Sequence, residues 1–336
     1  MYFGGIDAHL TYLTIAVVDR AGEVVLQERV ATAESLRVLE VMAPYRPLDV
    51  VVETCPFWPW IHDLVAPAGI GFHLAHAKEL EAIATSTRKT DARDATLLAR
   101  MLAAGLIPEV YPKPAPQRNT LKLLRHRAML VRQRTSLANR IHAQLHQRRL
   151  ALPREALLRK KARSWLKATA WPHLAVEQRR LVITHLKLID VLTPMIRALD
   201  KRIAKLARQD AAALVLETIP GIGPYRGLLL ATELSPIARF TAPEHLVSYA
   251  GLAPVTRSSG GHTRRGSIPK GANRWVRGAL VSAIPSHVRA APESTLSAYY
   301  ARLKERLGWR VARVAAARKL VRSIHPMLRT GEVWRG

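Results

Sequence analysis

Residues 105–119 read GLIPEVYPKPAPQRN, with four prolines in fifteen positions. Proline fixes φ and has no N–H to donate, so neither a helix interior nor a central strand crosses such a stretch. The chain is therefore expected to divide there. The two sides differ in charge. Residues 1–109 hold 9 Lys/Arg against 14 Asp/Glu, a net of −5, and residues 110–336 hold 43 against 11, a net of +32. A total of +27 predicts strong, salt-sensitive attraction to a polyanion, with nucleic acid ahead of a membrane surface or a ribosome. At 336 residues and 49% hydrophobic content, the chain can bury two or three cores.

Upstream of the prolines the pattern is β-rich. Strands are expected at Tyr2–Ile6, ending near Asp7, then at Thr11–Asp19 and Glu23–Val30, the last two joined as a hairpin across Arg20-Ala21-Gly22. Helical spacing follows at Ala33–Ala43. The apolar run LDVVVE (48–53) reads as a buried strand, Trp58–Ala66 as a helix, Gly71–Ala75 as a strand and Asp91–Ala104 as a helix. Three antiparallel strands followed by alternating helices and strands is the order of a ribonuclease-H-like domain.

Downstream, two long segments repeat apolar residues at alternating steps of three and four. The first row is Leu121, Leu124, Ala128, Val131, Thr135, Ala138, His142 and Leu145; the second is Leu181, His185, Leu188, Leu192, Met195 and Leu199. Each seam would pack against the other or against a second protomer. Between Glu109 and Glu155 there are eleven Lys/Arg and no acid, which makes this helix a phosphate-contacting candidate. Residues 211–234 place Pro220-Gly-Ile-Gly-Pro224 between two helical stretches. Gly221 and Gly223 permit a tight turn, and the N–H groups of the following helix suit a phosphate, as in a helix–hairpin–helix. A helix hairpin without ligand is the alternative. Residues 256–271 read as a Ser/Gly/Arg-rich loop, a helix begins near Asn273, and the stretch 297–327 is helical and basic. The expected parts are 1–105, a linker at 106–119, a helical assembly segment at 120–210, a mainly helical domain at 211–300 and a basic helix at 301–336.

The lone Cys55 excludes a disulfide framework within the chain and a Cys-rich zinc site, and it reads as a small buried residue in a reducing compartment. No apolar run reaches membrane-spanning length and no secretion signal is evident.

In this basic chain the stretch RKTDARDA (88–95) places Asp91 and Asp94 three residues apart, on one face of a helix. Two carboxylates so close repel unless neutralised. Arg88, Lys89 and Arg93 would do this weakly, and a bound Mg²⁺ better. Aspartate also suits a solvated helix start. Asp7 and Glu53 each end a strand that should be buried, and such carboxylates need a partner or a metal. Four acids from two strands and a helix could converge on two metal ions about 4 Å apart.

The ordered series GGIDAH, VVVET, RKTDARDA, IPGIGP, YAGLAP, SSGG and GANRWVRGAL, from about residue 2 to 285, resembles the insertion-sequence-110 transposase family of the DEDD type. Thr54-Cys55-Pro56 departs from the glycine-containing turn common in that family. The resemblance implies an N-terminal RuvC-like (ribonuclease-H-like) domain, a helical middle and a C-terminal transposase domain. It places metal-binding acids at Asp7, Glu53, Asp91 and Asp94, with Mg²⁺ as cofactor. It implies a serine nucleophile within RSSGG, at Ser259 or at Ser258, and Ser259 directly precedes the glycine. Without the resemblance SSGG reads equally as a flexible turn. Nucleic-acid contacts are expected from Lys89, Gly221, Gly223, Arg257, Arg264, Arg265, Lys270, Asn273, Arg274 and Arg277. The family also implies donor and target DNA, a structured noncoding guide RNA from the element, and a homo-oligomer in which acidic site and serine meet. It implies a cytoplasmic, nucleoid-associated setting. Two rivals share the charge: a metal-dependent RuvC-like junction nuclease without a serine, and a non-catalytic nucleic-acid-binding protein.

Overall fold

The computed structural model describes residues 1–83, 90–152, 157, 160–254, 256–259, 262–266 and 271–336. It divides into two compact units, Met1–Arg118 and Asn119–Gly336.

The first unit is a five-stranded mixed sheet. Strands β1 (Tyr2–Ala8), β2 (Tyr12–Val18) and β3 (Val24–Ala31) form an antiparallel meander, and β4 (Leu48–Glu53) and β5 (Gly71–Ala75) add in parallel, giving the order β3-β2-β1-β4-β5. This matches the ribonuclease-H-like expectation. Successive side chains of a strand alternate between faces, which sorts the residues. Ile6, Ile15, Val50 and Val52 pack beneath helices α1 (Ser35–Met42) and α2 (Trp58–Val65), where Cys55 also sits at the edge of the core. Val51 and Ala75 pack on the other face, with Leu80 of α3 (Ala77–Ile83) and Leu98, Met101 and Leu102 of α4 (Asp91–Ala103).

The helix α4 lies against the sheet because of Gly5. A Cβ there would sit 2.0 Å from the Ala95 carbonyl oxygen and 2.6 Å from the Ala99 nitrogen. Only glycine allows so close an approach. Thr90 caps α4, its hydroxyl accepting from the Arg93 N–H, and Asp91 and Asp94 fall in the first turn, where the helix dipole favours acids.

The second unit is helical. Two long helices, α5 (Ala115–His146) and α7 (Val176–Ala207), flank the short α6 (Lys160–Trp165). Pro116 sits in the first turn of α5, where a missing N–H costs nothing. Leu121, Leu124 and Leu145 of the first expected seam are buried, while Thr135 is exposed. The second seam is displaced. Val182, Ile189, Ile196 and Ile203 face the interior instead, and Leu181, Leu188 and Met195 remain 46–47% exposed. Both rows repeat every seven residues, and the β-branched row takes the core.

The remaining core is built from α8 (Ala211–Glu217), α9 (Pro224–Leu234), α10 (Pro243–Tyr249), α11 (Arg274–Ala290) and α12 (Thr295–Thr330). The segment expected to be a loop over 256–271 instead contains an antiparallel ribbon, β6 (Thr256–Ser259) with β7 (His262–Arg265), in the register Arg257 opposite Arg264 and Ser259 opposite His262. Four-residue runs on either side of Gly260-Gly261 are hairpin chemistry that outweighs the loop-like composition.

Candidate metal centre

Strand alternation aims the acids. Asp7 shares the face of Gly5, and Glu53 that of Val51, so both belong to the α4 side of the sheet. The parallel register pairs Ile6 with Val52, which sets Asp7 and Glu53 at the adjoining ends of neighbouring strands. The first turn of α4 closes over this point.

Asp7, His9 and Asp91 come together, each offering a ligand atom within 4.8 Å of the others. His9 Nε2 lies 3.1 Å from Asp7 Oδ2 and 3.7 Å from Asp91 Oδ1. The other Asp91 oxygen accepts from the Tyr12 hydroxyl at 3.0 Å and from Arg29 at 3.2 Å. Tyr12 stacks on His9, with ring centroids 4.6 Å apart, and carries the Arg29 guanidinium 3.5 Å above its ring. Burial pushes the Asp7 carboxyl above its ordinary range; His9 pulls it back, and the charges of Asp91 and Asp94 add to the rise. Asp94 thus shares the centre electrostatically. Glu53 is exposed at the end of β4. A half-buried carboxylate that two further acids push toward protonation is the environment a cation relieves. The donor set of carboxylate oxygens fits Mg²⁺, and the imidazole is also at home with softer first-row ions.

Sequence reasoning missed His9, Tyr12 and Arg29. His9 was visible two residues after Asp7 in GGIDAH. Tyr12 and Arg29 were not marked, because they reach the centre only through the antiparallel pairing of β1, β2 and β3.

In the second unit, Gly221 has φ +88°, and a Cβ there would meet the His287 nitrogen at 2.5 Å, so this glycine serves the packing of the turn on α11. His287 Nδ1 lies 2.9 Å from the Pro220 carbonyl. Gly223 is the N-cap of α9 and is open around its Cα. The Asn273 side chain is engaged within the protein. Its oxygen accepts from the Trp275 and Val276 N–H groups, and its amide donates to Glu233 and to the Tyr249 hydroxyl, each at 3.0 Å. Glu233 is buried and also accepts from Arg125 at 2.7 Å. Arg274 is exposed at the start of α11, and Arg277 lies half-buried one turn later. For Arg257, Ser258, Ser259, Arg264 and Arg265 the structure gives the ribbon register. Lys89 and Lys270 lie outside the described residues.

Residues 4–149 match a transposase family model, that of DEDD transposases of IS110 elements, and residues 213–301 match the model of the transposase IS116/IS110/IS902 family. The chain belongs to the IS110 family of transposases. It is 29% identical over 255 residues to the y4pF/y4sB protein of Sinorhizobium fredii, which carries a transposase name, covering 74% of this chain and 64% of that one. It is 24% identical over 334 residues to the transposase for insertion sequence element IS1111A of Coxiella burnetii, covering 98% of this chain and 90% of that one. With the transposase for element IS1328 of Yersinia enterocolitica it shares 24% identity over 277 residues, 82% of this chain and 81% of that one. The chain thus spans a little under two thirds of the Sinorhizobium relative and most of the other two. Among the described residues no helix is long and apolar enough to cross a membrane.

Proposed function

We propose that this chain cuts and rejoins DNA strands to move an insertion sequence, with Mg²⁺ held by Asp7, Glu53, Asp91 and Asp94 and a serine of the β6–β7 ribbon as nucleophile. The observation that carries the reading is the seating of α4 on Gly5, which sets Asp91 and Asp94 over Asp7. Bound Mg²⁺ would supply charge neutralisation and Lewis-acid polarisation at the scissile phosphate. His9 and Arg29 hold the carboxylates of Asp7 and Asp91 in place, and Tyr12 fixes one Asp91 oxygen.

In the reaction, the Ser259 hydroxyl attacks phosphorus and loses its proton, forming a phosphoserine ester while the leaving strand departs with a free hydroxyl. Attack on that ester by the hydroxyl of another strand releases the serine and rejoins DNA. The phosphoester is conserved, so no nucleotide cofactor is needed. Ser258 is the alternative nucleophile. Arg257 and Arg264, partners in the ribbon register, bring two cations to the same segment as the serines, which suits a phosphate. Arg265, Lys270, Lys89, Arg274 and Arg277 add to the grip, while Gly221, Gly223 and Asn273 shape the helix starts that face the backbone, in the manner of a helix–hairpin–helix.

Guidance by a structured RNA of the element fits a chain whose charge favours phosphates over base edges. A homo-oligomer fits the row Leu181, Leu188 and Met195 on α7. Thr184, Val191 and Ala198 continue that row, and all six are exposed and uncharged. On a chain of net charge +27, two copies meet with least repulsion along such a strip.

The test is Mg²⁺-dependent strand exchange between DNA molecules carrying the element's ends and its target, with the element's RNA. Asp7→Asn and Asp94→Asn should each abolish exchange and weaken Mg²⁺ binding measured calorimetrically. Full exchange by either variant would defeat the reading.

A further inference from the structure

Within the second unit, α5, α7, α9 and α11 enclose an open groove of about 950 Å³. That is at the upper end of the roughly 300–1,000 Å³ of ligand-sized pockets. Its charged lining is Arg127, Arg132, Arg226, Arg274 and a single acid, Asp200. Asp200 is already engaged by Arg127, at 2.8 Å from Nε. Among the described residues, no carboxylate pairs with the other three arginines. Arg226 is half-buried, and its guanidinium donates to the Gly221 carbonyl at 2.9 Å and the Ser282 carbonyl at 3.2 Å. Burial, together with the neighbouring Arg127 charge, makes that cation harder to hold. Cations gathered without counter-charge are completed by an anion.

Two aromatic rings line the same groove. Tyr225 carries Arg127 at 4.7 Å from its centroid, and Trp275 carries Arg132 at 5.5 Å. Each ring stands one residue inside the start of its helix, α9 or α11; α9 has no side-chain cap, so at Tyr225 a ring and outward-pointing N–H groups occur together, whereas the start of α11 is capped by Asn273.

The third observation is Gly278. It lies in the second turn of α11, exposed on the groove. A glycine inside a helix costs about 0.5–1 kcal/mol relative to alanine. Gly227 in α9 has an internal reason, since a Cβ there would meet Glu217 Cγ at 2.9 Å, and Gly308 in α12 has φ +78° at a kink. At Gly278 a Cβ would meet no heavy atom within 4 Å. Among the described residues nothing fills that space.

We propose that this groove takes an unpaired stretch of nucleic-acid strand, with phosphate on Arg226 and Arg274 and a base laid over Gly278 beside Trp275. A cationic channel with ring platforms is how single strands are held without sequence preference. A duplex keeps its base faces stacked inside and would use neither the rings nor the recess. The inference rests on the reading of the basic half as the nucleic-acid-handling part, and it adds the strand state and the place.

The test uses the full-length protein with fluorescent oligothymidylate, oligouridylate and a duplex of equal length. Gly278→Leu places side chain in the recess, its Cβ meeting no atom of the described residues within 4 Å, and favours the helix, so its melting temperature should stay level or rise. Its affinity for single strands should fall about tenfold or more, with duplex affinity within about twofold of wild type. Arg274→Ala should weaken single-strand binding and lower the salt dependence by about one phosphate contact. The tighter of the two single-strand probes tells whether DNA or RNA lies in the groove. Unchanged single-strand binding by Gly278→Leu would overturn the proposal. So would equal losses for single strand and duplex, which would mark a general electrostatic surface. Wild-type protein that binds none of the three probes would overturn the nucleic-acid reading itself.

Discussion

Replacing Gly5 by alanine adds one methyl at the tightest contact of the first unit. The new Cβ would start 2.0 Å from the Ala95 carbonyl oxygen, 2.6 Å from the Ala99 nitrogen and 2.9 Å from Leu98 Cβ. Ordinary contact begins near 3.4 Å, so α4 must retreat by about 1.4 Å. Two of the obstructing atoms are helix backbone, which no rotamer change can move. Overpacking costs about 1–3 kcal/mol, and the upper end applies here. At about 4 °C per kcal/mol for a unit of this size, the first unit should melt roughly 10 °C lower. The same displacement carries Asp91 and Asp94 away from Asp7, and a misplacement of about 1 Å can cost about a hundredfold in rate. Thermal melting of the full chain with and without Mg²⁺ reads both effects: a lower transition, and loss of the rise expected from Mg²⁺ in wild type. Gly4→Ala is the control. Its Cβ would meet Val50 Cγ1, a side-chain atom, at 2.9 Å, on the face away from α4, so the Mg²⁺ response should survive. A Gly5→Ala protein with wild-type melting and wild-type Mg²⁺ response would refute the seating of α4 as the device that builds the centre.

Three other outcomes are expected. Asn273→Ala removes the cap of α11 and one partner of buried Glu233, at a cost of about 2–4 kcal/mol; urea denaturation showing less than about 1 kcal/mol would contradict this. Burial holds the His287 pKa below its ordinary value, so the unfolded chain binds the proton more readily. Stability should therefore be full above about pH 6.5 and fall as pH drops through the lowered value, and melting curves of His287→Gln should show a flatter slope with pH, an unchanged slope counting against the assignment. Leu188→Glu on the exposed row of α7 should shift sedimentation toward monomer while leaving the melting temperature within a few degrees; an intact oligomer would place the contact on another face.

The order of strands and helices in the first unit was legible, and so was the face shared by Gly5 and Asp7 and that shared by Val51 and Glu53, because period-two alternation in the runs GGID and DVVVE states which residues lie together. The seat of α4 was not, since a glycine inside a strand does not say which neighbour needs the space. His9 lay in a quoted motif but becomes a neighbour of Asp91 only once β1 and α4 are packed. On α7, Leu181-Leu188-Met195 and Val182-Ile189-Ile196 repeat with the same period, one residue apart, so spacing alone could not choose the buried row. The ribbon at 256–265 was hidden by its Ser, Gly and Arg content, although Gly260-Gly261 is itself a two-residue turn signal. The groove of the second unit needs four helices to exist, and of its lining the sequence points to nucleic-acid contact only at Gly223 and Arg274.

The most direct test of the account is a denaturing-gel search for a covalent protein–DNA adduct during strand exchange with Mg²⁺, comparing wild type, Ser258→Ala and Ser259→Ala. Wild type and Ser258→Ala should each form an adduct, which Ser259→Ala loses together with exchange. Cleavage without any adduct, unchanged by either substitution, would contradict this and leave a nuclease that works with its acids alone.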